Sequence, residues 1–446
     1  MLPHSARVTT SHTSVAATQH SRRLGGLIAL ASVFAIAFAT LAPVPGVVDT
    51  SPFCVVCGTA GGVDAILNVL LYLPLGVGLA VYGVRPLPAL VAMCGLSAAI
   101  ELTQLFFIPG RDATLGDLLT NTLGAAIGFA IGRYSPVWLV PDRRAAEKLA
   151  LGWAVLWLGV QAVSSLAFTA SFPDSRYYGQ IARSFADLAT FRGQVIGANI
   201  GSTPVPDVAF ANSQIVRDLL NQKSYIGATV IPAGRTPSIA PIVRVADAEQ
   251  REIVLLAQRG NDLVFGVRCM AAVLRLRPPL FALRAVFPDT GGAGGRAESD
   301  AFRLRYDEHN VDMQVAGNFR SISRRIPIHP SLGWTLALPF QWYIDGSALE
   351  ALLSGIWIAG FLLPFGYWAG QVSRGPDEHK LAGRSRLLAL TAAMLMTGMI
   401  VVPQLFGLSG DTPLDWIAAF VGLAAGYGIA CAARTKLNPA ESQQPI

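Results

Sequence analysis

Eight stretches of about 20 residues in this sequence hold almost no charge, and they limit the chain to very few architectures. A run of that length crosses the hydrocarbon of a bilayer as a helix, because inside lipid the backbone must satisfy its own hydrogen bonds. The runs fall at about 24–42, 63–83, 87–108, 114–132, 148–168, 347–369, 387–404 and 412–431. With 52% hydrophobic and 14% charged residues, a wholly soluble chain of 446 residues could not hide its apolar side chains. The first run follows Arg22 and Arg23 as a secretory signal would, but it exceeds the roughly 7–15-residue apolar core of such signals, so a retained helix is expected.

Basic residues orient the helices, since cytoplasmic loops accumulate them. Arg7, Arg22, Arg23, Arg85, Arg133, Arg143, Arg144, Lys148, Arg374, Lys380, Arg384, Arg386, Arg434 and Lys436 all fall on one side of an eight-helix layout. The loops on the other side, 43–62, 109–113 and 405–411, hold only Arg111. Both termini are therefore expected in the cytoplasm and residues 170–345 outside, in a cell (inner) membrane. The net charge of +6 reflects this topology and gives no reason to expect nucleic-acid binding.

The cysteines add one local feature. Cys54 and Cys57 form a C-x-x-C in the first exported loop, where an oxidising compartment would allow a local disulfide, with plain thiols as the alternative. No second pair or nearby histidine supplies the other ligands a metal would need, so no metal site is expected there or elsewhere. Cys94 and Cys431 lie in apolar helices, and Cys269 has no evident partner.

The chain also repeats itself. Gln104-Leu105-Phe106 recurs as Gln404-Leu405-Phe406, and Asp117 followed by Gly124 and Gly128 recurs as Asp415 followed by Gly422 and Gly426. Leu73-Pro74-Leu75-Gly76 recurs as Leu363-Pro364-Phe365-Gly366. The order and direction agree, which predicts a parallel repeat of four helices plus four with a large insertion in the second copy. Gly124 and Gly128 make a small-x-x-x-small stripe for close helix packing, and Pro74 with Gly76 modifies the second helix.

Polar side chains concentrate in the first copy. Asp64 and Asn68, Glu101 and Gln104, and Asp117 and Asn121 each share a helix face, and the loop between the third and fourth helices brings Arg111 and Asp112. The predicted topology puts all eight near the outer surface. Charge in the bilayer is costly, so a ligand or proton site is expected, with Arg111 as counter-ion to Glu101, Asp112 or Asp117. The plainer alternative is that these groups only hydrogen-bond helices together.

Asn68 with Pro74 and Gly76, Ile100-Glu101 with Gln104, Gly110-Arg111, Asp117, Asn121, Gly124 and Gly128 together resemble the VanZ-like family over about 63–132, and more loosely over 347–431. The family takes its name from a membrane protein associated with glycopeptide-antibiotic resistance, and the resemblance implies a helical membrane unit without implying a reaction. The second copy departs from the pattern, with Val401 and Ala419 where Glu101 and Asn121 stand, so any site is expected in the first.

Within the second copy, after its first helix, the pattern changes to short alternating segments with turn residues. Residues 225–230, 242–245, 253–256, 263–267 and 313–315 read as strands, 207–221 as helix or loop, and the Gly-rich 289–300 as a mobile loop. An antiparallel sandwich follows. The strand order resembles concanavalin-like or laminin-G-like jelly rolls, and that resemblance implies glycan binding, with a spacer or interaction module as the alternative.

The fold expected is thus an α-helical polytopic membrane protein with an inserted all-β sandwich. Its parts are a disordered tail at 1–23, a first helical repeat at 24–146, a fifth helix at 147–169, a sandwich at 170–345, a degenerate second repeat at 346–432 and a tail at 433–446. No Walker loop, dinucleotide fingerprint, G-x-S-x-G or H-E-x-x-H occurs, and the six histidines read as surface residues. The expected partners are the lipid bilayer and an envelope glycan or lipid-linked precursor, without a cofactor. The alternatives are an enzyme acting on such a precursor, with Glu101 and Asp117 as acid and base, and a purely structural membrane protein.

Overall fold

Eight helices long and apolar enough to cross a membrane, plus two six-stranded sheets, make up the computed structural model. It describes residues 6–43, 51–111, 113–185, 188–288, 299–317, 321–372 and 377–437. The Gly-rich segment expected to be mobile lies almost wholly outside these residues. The chain divides into two units, Met1–Ala145 and Ala146–Ile446.

The first unit holds α1 (Ala6–Thr40), α2 (Gly61–Tyr82), α3 (Pro86–Phe107) and α4 (Leu115–Arg133). Local chemistry sets the ends. Gly83 takes the left-handed conformation that stops α2, Pro86 opens α3 where a missing N–H costs nothing, and Thr114 caps α4. α1 begins at Ala6, so most of the segment expected as a disordered tail extends the first helix instead; its apolar span is Gln19–Thr40.

α2 and α4 run parallel in close contact. A Cβ on Gly124 would strike the backbone of Val69, one on Gly128 that of Leu73, and one on Gly76 that of Ala125. Tyr72, Leu75, Met93, Ile100, Ala125 and Phe129 fill the remaining space with Ile36 of α1. Leu27, Phe34, Leu70, Val91, Phe106 and Leu123 point outward, as lipid-facing residues should.

The second unit holds α5 (Arg143–Phe168, entered across the division), α6 (Ala348–Val372), α7 (Ser385–Leu405) and α8 (Pro413–Leu437). The repeat reappears here as geometry. Gly422 abuts Ala359, Gly426 abuts Leu363 and Gly366 abuts Leu423, in the same register as Gly124 on Val69, Gly128 on Leu73 and Gly76 on Ala125. α5 joins this pair through Trp153, whose indole N–H donates to the Phe361 carbonyl at 2.6 Å.

Between α5 and α6 lies the sandwich. Its strands are β1 (Tyr178–Ile181), β2 (Gln194–Ile200), β3 (Thr203–Pro204), β4 (Ile226–Ile231), β5 (Thr236–Ala246), β6 (Glu252–Gly260), β7 (Asp262–Val267), β8 (Leu280–Leu283), β9 (Asp300–Asp307), β10 (Asn310–Ala316), β11 (Ser321–Pro327) and β12 (Tyr343–Ile344). One sheet runs β1-β5-β6-β7-β8-β12 and the other β11-β10-β9-β4-β2-β3. All pairings are antiparallel except β12 on β8. The sheets share one core, in which Phe281 of β8 meets Tyr306 of β9 edge to face at 5.9 Å.

One ion-pair system braces the second sheet. Asp312 accepts hydrogen bonds from Arg305 and Arg325, each at 2.7 Å. Burial alone would raise its carboxyl, but the two arginines outweigh burial and hold it below the ordinary carboxylate range. A lowered carboxyl adds stability above its unfolded pKa of about 3.9 and loses it as pH falls through the lower folded value. Asp312→Asn should therefore destabilise the sandwich by about 1–3 kcal/mol at neutral pH. Thermal unfolding should show that deficit shrinking below about pH 4.

Candidate functional site

The polar residues of the first unit gather where the N-terminal halves of α2 and α4 meet the C-terminal half of α3. Asp117 is held on both oxygens. Asn68 donates to Oδ1 at 2.6 Å, and the Thr114 hydroxyl donates to Oδ2 at 2.7 Å. Thr114 in turn accepts the Asp117 N–H at 3.1 Å, which is the cap of α4, and donates its own N–H to Glu101 Oε2 at 3.3 Å. Asn121 donates its amide to Ser97 Oγ at 3.1 Å and to Glu101 Oε1 at 3.5 Å. Three helices are thereby joined through one network that includes Asn68, Ser97, Glu101, Thr114, Asp117 and Asn121.

Two buried atoms on α4 lack a hydrogen-bond partner among the described residues, Asn121 Oδ1 and Thr122 Oγ1, and Asn121 is only 2% exposed. The fully buried Tyr72 hydroxyl stands beside Ser97. An orphaned buried polar atom costs about 1–3 kcal/mol, so such atoms need a reason. Thr114 and Ser97 were absent from the sequence-derived set. The signal for Thr114 was its place three residues before Asp117, the spacing of a helix cap.

Of the three carboxylates expected to pair with Arg111, Asp112 lies outside the described residues and the other two are not its partners. Its guanidinium donates to the carbonyls of Ala39 at 2.8 Å and Ala42 at 3.0 Å, at the C-terminal end of α1, and not to Glu101 or Asp117. The reason is physical: the last carbonyls of a helix lack partners and carry partial negative charge, so a cation there is favourable. Gln104 serves the same end, donating to Thr40 O at 2.8 Å. Asp64 is exposed, one turn before Asn68, and Asp112 lies outside the described residues.

Cys54 and Cys57 are joined as a disulfide. Their loop lies over the start of α4, where the Pro52 carbonyl accepts the Leu115 N–H at 2.9 Å and the Cys54 carbonyl accepts that of Gly116 at 3.0 Å.

Residues 4–138 match the family model described as VanZ/LLP1. This segment resembles the VanZ-like family. No curated protein and no solved structure matches the chain significantly. The match covers the helices that build the network, so the polar site lies within the VanZ-like unit.

The second unit holds two other polar features. A cleft of about 730 Å³ on the sandwich is lined by Arg192, Arg235, Arg259, Thr236 and Asp262 among others. Within it, the buried Thr236 hydroxyl has no hydrogen-bond partner. The other feature corrects the expectation that the histidines are surface residues: His329 is buried beside Asp411 and Asp415. It lies 82 positions before Asp411, and chain spacing could not reveal a site assembled by folding.

Proposed function

We propose that the VanZ-like unit binds a polar or lipid-linked component of the cell envelope from the extracytoplasmic leaflet, and that the sandwich contacts an acidic envelope glycan. The observation that carries the first part is the unsatisfied buried Asn121 Oδ1, beside a network that already holds Glu101 and Asp117 in place. Plain helix glue would satisfy its own donors and acceptors, whereas a ligand with hydroxyl or amide groups would satisfy this atom. The basic loops favour an orientation with this end outside.

The three arginines of the sandwich cleft support the second part, because guanidinium groups recognise carboxylate and phosphate by paired hydrogen bonds.

Mass spectrometry of lipids and glycolipids copurifying with the protein tests the reading. A species enriched on wild type should fall at least tenfold on Asn121→Ala and Glu101→Gln, with the proteins still folded. Equal lipid profiles for wild type and both variants would overturn the proposal. For the sandwich, Arg235→Ala with Arg259→Ala should abolish retention on acidic cell-wall polymer, and unchanged retention would count against that contact.

A further inference from the structure

The second helical copy ends in a buried cluster that the proposed ligand site does not use. His329 precedes the short 3-10 helix Pro330–Ala337, Asp411 lies in the loop between α7 and α8, and Asp415 stands in the first turn of α8. Their exposures are 7%, 8% and 1%. His329 Nδ1 is 3.7 Å from Asp411 Oδ1 and 3.5 Å from Asp415 Oδ2, and one ligand atom from each residue lies within 4.8 Å of the others.

The fold builds this arrangement deliberately. α7 contains a π-helical turn at Thr397–Val401 followed by Pro403, which has no N–H to return to Met399. The freed Met399 carbonyl accepts the Asp411 N–H at 3.1 Å. Gln161 of α5 donates to Asp411 Oδ2 at 3.1 Å, and the Ser331 N–H donates to Oδ1 at 3.3 Å. Asp415 repeats the cap of the first copy: Thr412 donates its hydroxyl and N–H to Asp415 Oδ2 at 2.8 and 2.9 Å, as Thr114 does for Asp117 through its hydroxyl. In the first copy Asn68 also holds Asp117, but the register puts the buried Ile358 at the matching position of α6. His329 stands beside the aspartate that lacks this amide.

Charge makes the cluster unusual. Among the described residues, neither aspartate is paired with a lysine or arginine, so two buried carboxylates face one imidazole. Such charge is costly unless it is neutralised. A divalent cation would cancel both negative charges while the imidazole binds as a neutral ligand. Zinc ligands at roughly 2.0–2.2 Å from the metal stand roughly 3.3–3.5 Å from each other in a tetrahedron. The two imidazole–carboxylate spacings of 3.5 and 3.7 Å are slightly wider, and the three ligand atoms together lie within 4.8 Å.

We propose that His329, Asp411 and Asp415 bind one divalent transition-metal cation, of the zinc or manganese class, which fastens the end of the sandwich to the start of α8. One imidazole nitrogen and two carboxylate oxygens suit these cations. The Ser331 hydroxyl, which contacts the same imidazole nitrogen, is the nearest candidate for a fourth ligand.

The test uses the full chain in detergent, stripped with a chelator, desalted, and titrated with Zn²⁺ and then Mn²⁺ against a competing chromophoric chelator. Wild type should take up one equivalent per chain, confirmed by elemental mass spectrometry, and its thermal midpoint should rise on metal addition. Asp411→Asn, which keeps one oxygen to accept the Ser331 N–H, and His329→Gln should each weaken uptake at least tenfold and remove the midpoint shift. Failure of wild type to bind either metal stoichiometrically would overturn the proposal even if a variant failed to fold. Uptake undiminished in both variants would overturn it as well, since it would mark adventitious binding.

Discussion

Gly128→Leu should abolish the folded N-terminal helical unit, whereas Gly95→Leu should leave it intact. Both glycines lie inside membrane helices, so hydropathy treats the two changes alike. The structure does not. A side chain at position 128 would enter the backbone of Leu73 on α2, while position 95 on α3 faces open space. Overfilling a side-chain core typically costs about 1–3 kcal/mol because rotamers can yield. Here the obstruction is another helix's main chain, so α2 and α4 would have to separate along their full contact. The loss should exceed that range and appear as aggregation on size exclusion and as protease sensitivity. Gly426→Leu should behave the same way in the second copy, where Leu363 is the obstructing residue. A monodisperse, protease-resistant Gly128→Leu protein would show that the parallel contact does not hold the unit together.

Phe281→Ala should destabilise the sandwich by about 3–5 kcal/mol, the cost of deleting a large aromatic side chain from a packed core. Phe281 is fully buried on β8 and meets Tyr306 of the opposite sheet. Tyr306 donates its hydroxyl to the Phe168 carbonyl at the end of α5, so disturbance there reaches the helix leading into the domain. Hydrogen exchange should report faster opening of β4, β9 and β10, with the amides of α6 and α8 changing less. Exchange at wild-type rates would mean that the two sheets are not sharing the core described.

The helices were legible from sequence because the hydrocarbon sets their length, and the predicted spans end within a few residues of the observed ones. The repeat was legible because glycines that touch backbone cannot drift without consequence, as Gly124 and Gly422 show. The sandwich was legible only where strands were strongly apolar. β6 and β7 stood out, but β2, with Gly197, Ala198 and Asn199, and β11, with Arg324 and Arg325, did not. Those strands owe their conformation to ladder partners far along the chain. Polar clustering on α2, α3 and α4 could be read from helical periodicity, yet the role of Arg111 could not. It depends on where α1 ends relative to a loop some 70 residues later. His329 escaped notice for the same reason.

The loop bearing the disulfide has a bearing on what sort of molecule this region can grip. A helix beginning normally leaves four amides pointing outward, ready for an anion. On α4 those of Leu115 and Gly116 are taken by Pro52 and Cys54, that of Asp117 by the Thr114 side chain, and that of Leu118 by the Thr114 carbonyl. No main-chain cradle is left over for a phosphate at that helix end. On the proposed function, discrimination there would fall to carboxamide groups such as that of Asn121, which suit the hydroxyls and acetamides of a sugar.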